Sequence, residues 1–289
     1  MYLRPESVDE ALAALAARQF AVLAGGTDFY PARVGRPVFE DVLDISRLAE
    51  LRGILDEGRH WRIGALTTWT DIVRAELPRV FRTLQQAARE VGGVQIQNAG
   101  TVAGNLCNAS PAADGAPALM SLGAQVELRR AEATRTVPLT DFLVGNRATQ
   151  RGLDELMTGI LVPKWAAQEG HSARSRFLKL GARRYLVISI VMVSLAVEIS
   201  PTGKITRCGV AVGACSPVAK RLTGLEKKLL GNRLTSDVAA IPAPEHLSAL
   251  APIDDVRATA EYRREVALEL VRRGLAELAA EAGEGADWS

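Results

Sequence analysis

The chain has 289 residues, with 48% hydrophobic and 24% charged residues and a net charge of +2, which is the composition of a globular protein. At this length about 75% of the unfolded surface is buried on folding, so no disulfide or metal is needed for stability. The near-neutral charge argues against nucleic acid or an anionic membrane as the main partner.

Three cysteines, Cys107, Cys208 and Cys215, occur without a CxxC spacing. This pattern predicts no disulfide framework, zinc site or iron–sulfur site, and it favours a reducing, cytoplasmic compartment. The N-terminus lacks the basic head and apolar run of a secretory signal. The most apolar run, residues 185–199, is too short to cross a bilayer, so no membrane span is predicted.

The first half of the chain alternates short helices and strands. A capping box at Ser7–Glu10 predicts a helix over 8–18. Apolar runs bounded by turns predict strands, and a further helix ends at Gly92–Gly93. The strands are expected at 20–23, 42–45, 61–65 and 124–130, and the further helix at 84–91. The segment 153–162 is expected to end this part of the chain at Pro163.

The polar segment 165–175 is interpreted as a domain boundary. Beyond it, a turn signal at 200–203 lies between two apolar runs and predicts a hairpin. The fold class is therefore α+β, with an N-terminal domain over about 1–167, itself divided near residue 57, and a C-terminal domain over about 174–289. The elements expected beyond the boundary are strands at 176–180, 192–199 and 205–212 and helices at 222–230 and 254–281.

Motifs for chemistry by the chain's own side chains are missing from the sequence. It contains no GxGxxG, Walker A, HExxH or GxSxG pattern and no cluster of metal ligands. The three histidines, at 60, 171 and 246, have surroundings typical of surface or packing residues. No catalytic residue and no metal ligand is therefore assigned.

Two segments of small residues indicate a ligand instead. Residues 24–28 (AGGTD) follow a predicted strand, and residues 101–105 (TVAGN) begin a run of small residues that continues to Leu119. Glycine-rich turns let backbone N–H groups approach an anion without steric obstruction. Together the two segments could surround a diphosphate, whereas either alone is more simply a tight turn.

These segments resemble the two flavin-binding signatures of the FAD subunits of molybdenum hydroxylases, the family that includes xanthine dehydrogenase and carbon monoxide dehydrogenase. GGTDFYP, from Gly25, is similar to the first signature. QIQNAGTVAGNL, from Gln95, and NASPAAD, from Asn108, are similar to the second, although Ala103 stands where relatives usually have glycine. FLKLGARRY, from Phe177, resembles the start of that family's C-terminal domain, so the resemblance covers nearly the whole chain.

The resemblance implies a two-lobed FAD-binding domain of the vanillyl-alcohol-oxidase (PCMH) type, with lobes at about 1–57 and 58–167. A carbon monoxide dehydrogenase flavoprotein-type C-terminal domain, a small antiparallel sheet with helices, would follow. It also implies site residues. The diphosphate of a non-covalent FAD would be held by Ala24, Gly25, Gly26, Thr27, Asp28, Thr101, Val102, Ala103, Gly104 and Asn105. Asp114 would bind ribityl or ribose hydroxyls, Met157 and Lys179 would contact the flavin ring or its edge, and Tyr185 would shield one face of it.

The implied function is electron transfer. Electrons from a molybdenum–pterin cofactor in a large partner subunit would pass through [2Fe–2S] clusters in a small partner subunit to FAD on this chain, and then to an external acceptor. The resemblance also implies a dimer of heterotrimers. Two alternatives stay open: a self-sufficient flavin oxidase or reductase, and a structural subunit without flavin. Neither the substrate nor the acceptor follows from the sequence.

Overall fold

The computed structural model describes residues 1–35 and 37–283. The first lobe holds a parallel sheet in the order β1–β3–β2. The helix predicted from the capping box is present, with the Ser7 side chain accepting from the Glu10 backbone N–H, and it ends at Ala17. The elements of this lobe are β1 (Tyr2–Leu3), α1 (Val8–Ala17), β2 (Ala21–Leu23) and β3 (Val42–Asp44).

The second lobe is built on an antiparallel sheet in the order β4–β5–β10–β6–β7. Its first strand begins at Ile54, a few residues before the predicted division near residue 57. Its elements are β4 (Ile54–Asp56), β5 (His60–Gly64), α2 (Trp69–Arg74), α3 (Arg82–Glu90), α4 (Val94–Ala99), α5 (Val102–Asn108), α6 (Gly115–Ser121), β6 (Gln125–Arg130), β7 (Ala133–Pro138), α7 (Leu139–Phe142), β8 (Leu143–Gly145), β9 (Ala148–Thr149) and β10 (Leu156–Pro163).

The C-terminal domain is an antiparallel sheet in the order β11–β12–β13–β14 with helices against it. The predicted hairpin is formed by β12 and β13. β11 begins at Ser172, inside the segment predicted to be broken, and α9 begins at Ala260, six residues later than predicted. The elements are β11 (Ser172–Leu180), β12 (Val191–Ile199), β13 (Ile205–Gly213), β14 (Lys220–Arg221), α8 (Thr223–Leu229) and α9 (Ala260–Gly283).

The two domains share one buried core. One face of the C-terminal sheet, including Met192 and Ala211, joins the core of the N-terminal domain, while its other face packs on α8 and α9. Hydroxyl groups cross the junction: Ser194 Oγ lies 2.6 Å from Thr83 Oγ1 and 2.6 Å from Ser121 Oγ. The junction is thus interlocked by both packing and hydrogen bonds.

Short 3₁₀ turns complete the chain, at Pro31–Arg33, Ala49–Leu51, Arg79–Phe81, Ser236–Ala240 and Pro244–Leu247. In the part of the chain that the structure describes, no helix combines the length and apolarity needed to cross a bilayer. The predicted C-terminal domain extends to residue 289, and its last six residues lie outside the described part of the chain.

Candidate functional site

A cavity of about 470 Å³ opens in the N-terminal domain where the two lobes meet. The predicted segments 24–28 and 101–105, separated by more than seventy residues, both line it. Ten of the fourteen predicted site residues lie in its wall: Ala24, Gly25, Gly26, Thr27, Asp28, Thr101, Ala103, Gly104, Asn105 and Met157. The other four, Val102, Asp114, Lys179 and Tyr185, do not.

The first segment turns sharply after β2 because two of its residues are glycines. Gly26 has φ +72°, and a Cβ on it would lie 2.9 Å from the Tyr30 ring. A Cβ on Gly25 would lie 1.9 Å from the Ala99 carbonyl oxygen. Gly25 therefore lets the first segment pack directly on the chain that leads into the second, and this contact brings the two segments together.

The backbone N–H groups of Gly25, Gly26, Thr27 and Asp28 are available for a ligand. They line the cavity, and within residues 1–35 and 37–283 they donate to no protein acceptor. Unpaired N–H donors on successive residues of a turn form a concavity suited to an anion. The first segment can therefore contribute main-chain hydrogen bonds to a bound phosphate.

The second segment is the start of α5. Thr101 caps the helix, with its Oγ1 accepting from the Gly104 N–H at 3.0 Å. Val102 is fully buried, and its N–H donates to the Thr67 carbonyl at 2.9 Å. Val102 therefore does not line the cavity. Asn105 Oδ1 is buried and has no hydrogen-bond donor among the described residues. Such an oxygen is costly unless a ligand or water supplies a donor.

A polar cluster that the sequence did not predict closes one side of the cavity. Arg147, in the turn between β8 and β9, reaches Asp28 Oδ2 at 3.2 Å and Asn108 Oδ1 at 2.9 Å. Asn108 Nδ2 in turn donates to Asp28 Oδ1 at 3.3 Å. Both Arg147 and Asn108 line the cavity, so these contacts join its first glycine-rich segment to the C-terminal end of α5.

The rest of the wall is largely apolar. Met157, on β10, is 3% exposed, and further side chains of this kind continue the surface: Val22, Ile45, Ala65, Trp69, Val91, Ile96 and Leu156. Cys107 also lines this region, and burial raises the pKa of its thiol to about 11 despite the nearby Arg151. It is therefore a neutral thiol, not a nucleophile, at ordinary pH.

Asp114 and Lys179 are brought together with each other, away from the cavity wall. Lys179 Nζ lies 3.0 Å from Asp114 Oδ1 and donates to the Glu90 carbonyl at 3.3 Å, while Ser189 Oγ donates to Asp114 at 2.9 Å. Burial raises the pKa of Asp114 to about 6, and the Lys179 charge opposes that rise. The pair joins the N-terminus of α6 to the C-terminal sheet.

Tyr185 lies on the loop between β11 and β12 and is 61% exposed. The Arg184 guanidinium stacks on its ring at 5.3 Å. The next residue, Leu186, has φ +52° and would contact a Cβ on Gly93 at 3.4 Å. The loop therefore passes close to the segment that precedes α4, and it presents the tyrosine to solvent.

The arrangement is built for binding. Main-chain donors and three arginines line the cavity together with aliphatic and aromatic side chains. A ligand that combines an anionic group with a flat apolar ring matches this combination. Sequence reasoning missed Arg33, Cys107, Asn108, Arg147 and Arg151, and the only cue to Arg147 was the turn-like GNR after an apolar run.

Comparison with known proteins gives matches over both domains. A family model described as the FAD binding domain in molybdopterin dehydrogenase matches residues 1–165. A second, described as the CO dehydrogenase flavoprotein C-terminal domain, matches residues 176–278.

Individual relatives match over most of their length. The nicotinate dehydrogenase FAD-subunit of Eubacterium barkeri is 34% identical over 85% of this chain and 83% of its own. The carbon monoxide dehydrogenase medium chain of Hydrogenophaga pseudoflava is 30% identical over 95% of both chains. A solved structure of reconstituted CO dehydrogenase from Oligotropha carboxidovorans superimposes with a TM-score of 0.85 at 27% identity, covering 96% of this chain and 97% of that one.

Proposed function

Because the chain belongs to the family of FAD-binding subunits of molybdenum hydroxylases, we propose that it binds FAD in the cavity between its two glycine-rich segments and relays electrons from partner subunits to an external acceptor. The chain is an oxidoreductase subunit with the two-domain fold of that family. The observation that carries the proposal for the cavity is the convergence of both glycine-rich segments on it.

The residues present fit FAD. The unpaired N–H groups of residues 25–28 suit a diphosphate. The buried Asn105 Oδ1 lacks a donor within the described residues, and a ligand hydroxyl would supply one. A Cβ on Gly104 would meet only Thr101 Oγ1, at 2.8 Å, so the rest of the space in front of that residue belongs to the cavity. Met157 and its apolar neighbours suit a flat ring.

When bound, FAD supplies the capacity to accept and release electrons singly or in pairs. The chain's own contribution is binding and orientation. The glycine-rich segments would hold the diphosphate, the apolar wall would exclude water from the ring, and Asn105 would accept a hydrogen bond. Cys107 in the wall is neutral and no histidine is among the described lining residues, so no proton-transfer role is assigned to a side chain of the cavity.

Asp114, Lys179 and Tyr185 have proposed roles near the ring. Asp114 would accept from ribityl or ribose hydroxyls, because a carboxylate is an acceptor. Lys179 would contact the ring or its edge, and Tyr185 would cover one of its faces. The Tyr185 role is tested by Tyr185→Ala. Unchanged flavin content, reduction potential and acceptor kinetics would remove it from the site.

Relatives of this chain are named as medium chains of larger enzymes. We therefore propose a large partner subunit with a molybdenum–pterin cofactor and a small partner subunit with [2Fe–2S] clusters, assembled as a dimer of heterotrimers. A cytoplasmic location is part of the same proposal.

The test begins with the visible spectrum of the purified chain, repeated on the supernatant after acid precipitation. Flavin bands that move to the supernatant, together with recovery of an iron–sulfur chain and a molybdenum chain in a pull-down, are the expected result. Bands that stay in the pellet would mean covalent flavin and would favour a self-sufficient oxidase. No bands after incubation with FAD would overturn the proposal.

A further inference from the structure

Three arginines line the cavity, and they differ in how their side chains are used. Arg33 Nη1 donates to the Phe29 carbonyl at 2.9 Å, and the guanidinium also pairs with Glu40. Arg151 Nη1 donates to the carbonyls of Gly152 and Glu155, at 3.1 and 2.7 Å. Both side chains are partly buried and are fixed to backbone carbonyls, whereas the third lining arginine is exposed and its guanidinium bonds, among the described residues, only to side chains.

Arg147 is that arginine. Its side chain is 58% exposed. Its contacts to Asp28 and Asn108 are made through one edge of the guanidinium, chiefly by Nη1. A guanidinium has five N–H donors in a planar fork, so most of this donor capacity remains directed elsewhere. The residue lies where the first glycine-rich segment and the end of α5 approach each other.

The backbone fixes Arg147 in this position. It has φ +54°, which is uncommon for a residue with a Cβ. Its N–H donates at 3.0 Å to the carbonyl of Ala109, the residue that ends α5 and itself has φ +47°. The tip of the β8–β9 hairpin is thus fastened to the C-terminal end of α5, and the arginine side chain can reach across to Asp28.

Asp28 poses a problem that this contact resolves. The resemblance places Asp28 among the residues that hold the diphosphate, yet an ionised carboxylate has only acceptors. It cannot hydrogen-bond a phosphate oxygen, and two anions at close range repel each other. Only the Asp28 backbone N–H can serve the diphosphate. The side chain must have another purpose, and its observed partners are Arg147 and Asn108.

We propose that Arg147 is a positioning residue for the diphosphate of the bound dinucleotide, and that Asp28 and Asn108 hold its guanidinium at the gap between the first glycine-rich segment and the C-terminal end of α5. This inference rests on the proposed function. The glycine-rich segments supply neutral N–H donors, and the N–H groups of Arg147 that do not contact Asp28 or Asn108 add charge-assisted donors. The Asp28 carboxylate is tolerated beside the diphosphate because Arg147 neutralises it.

The first test is Arg147→Gln in the full-length chain, stripped of flavin and titrated with FAD by flavin fluorescence. We expect FAD to bind about 30-fold more weakly, the loss typical of one charge-assisted contact. Raising the salt concentration should weaken wild-type binding more than that of the variant, because one ionic contact has gone. Arg147→Lys should recover part of the loss. The matched control is Arg59→Gln, an exposed arginine that does not line the cavity.

The second test separates charge from architecture. In Arg147→Gln the Asp28 carboxylate faces the diphosphate uncompensated, so adding Asp28→Asn should restore the part of the lost affinity that comes from this repulsion, although not the part that comes from the missing guanidinium contact. An arginine that merely fastens the hairpin would show no such rescue and no change in salt dependence. Either of those results, or unchanged affinity in Arg147→Gln, would overturn the inference while leaving FAD binding intact. Failure of the wild-type chain to bind FAD would overturn the proposed function itself, and this inference with it.

Discussion

The small-residue run from Thr101 to Leu119 divides into two parts that use small side chains for opposite purposes. In residues 101–105 the chain lines a cavity, and the methyl group missing from Gly104 leaves space open to a ligand. In residues 115–119, at the start of α6, every residue is buried against protein. A Cβ on Gly115 would lie 2.4 Å from the Trp69 ring.

The comparison shows that an absent side chain has two meanings that a sequence cannot distinguish. A ligand therefore accounts for the small residues of the first part only, and close packing accounts for those of the second. There, α6 packs closely both on Trp69 of α2 and on the C-terminal sheet, so small residues are needed. Gly209, on β13 of the C-terminal sheet, must also lack a side chain, because a Cβ there would lie 2.0 Å from the Ser121 carbonyl oxygen at the end of α6.

The largest effect is expected from a substitution that disrupts the packing around α6. Gly209→Ala would force a methyl group into the backbone at the end of α6, where no flexible side chain can move aside. We expect the free energy of unfolding to fall by about 3 kcal/mol, measured by urea denaturation with and without FAD. The loss should be equal in both conditions, apart from any stabilisation that bound FAD gives both proteins.

Gly224→Ala is the matched control, because a Cβ there has nothing within 4 Å and the residue is in α8. It should be neutral or slightly stabilising. A Gly209→Ala protein as stable as this control would mean that α6 and β13 are farther apart than the structure places them.

The sequence predicted the elements that have a local signal and missed those that depend on tertiary packing. Elements with a local signal, such as α1 behind Ser7 or the β12–β13 hairpin, were predicted to within a few residues. α5 and α6 were not predicted as helices, because Gly104, Asn105 and Pro117 are weak helix formers. These helices are stabilised by burial against distant parts of the chain, and local sequence patterns do not contain that information.

For the site, each glycine-rich segment could be recognised alone. Their meeting depends on the contact between Gly25 and Ala99, and the role of Arg147 depends on a hydrogen bond to a residue 119 positions away. Neither is written in local patterns. The buried pairing of Asp114 with Lys179 was also beyond reach, although both residues were selected individually through the resemblance.

The second prediction concerns residues 101–105, the part of the run that lines the cavity. Gly104→Ala places a methyl group where only Thr101 Oγ1 is near, at 2.8 Å, and otherwise into the cavity. The helix propensity gained by alanine offsets the strain on the Thr101 cap, so we expect the free energy of unfolding without FAD to change by less than about 1 kcal/mol. FAD affinity should fall about 30-fold, close to 2 kcal/mol.

Together with Gly209→Ala, this variant forms a crossed test. One should lose stability and the other should lose binding. If Gly104→Ala unfolded the protein, or bound FAD as the wild type does, the assignment of the first part of the run to a ligand would fail. Calorimetric titration of the flavin-free chain gives the affinity, and urea denaturation without FAD gives the free energy of unfolding.

The smallest expected effect concerns Asp114, which stands between the two parts. Its native pKa is about 6, against an ordinary value of 3.8, because burial penalises the carboxylate more than Lys179 and Ser189 favour it. The folded chain therefore holds a proton at a pH where the unfolded chain has released it. The cost of ionisation is present above pH 6 and is relieved as the pH falls toward 4, so this group makes the fold more stable at pH 5 than at pH 7, by on the order of 1 kcal/mol.

Asp114→Asn removes the titrating group while keeping its shape. The extra stability at pH 5 that Asp114 provides should therefore be missing when the unfolding free energies of the variant at pH 5 and pH 7 are compared. Asp237→Asn, at an exposed aspartate, is the control and should retain it. If the wild type and Asp114→Asn showed the same pH dependence, the carboxylate would be solvated in the flavin-free protein. Asp114 would then belong with the open cavity instead of the packed junction, and the boundary between the two parts of the run would lie beyond residue 114.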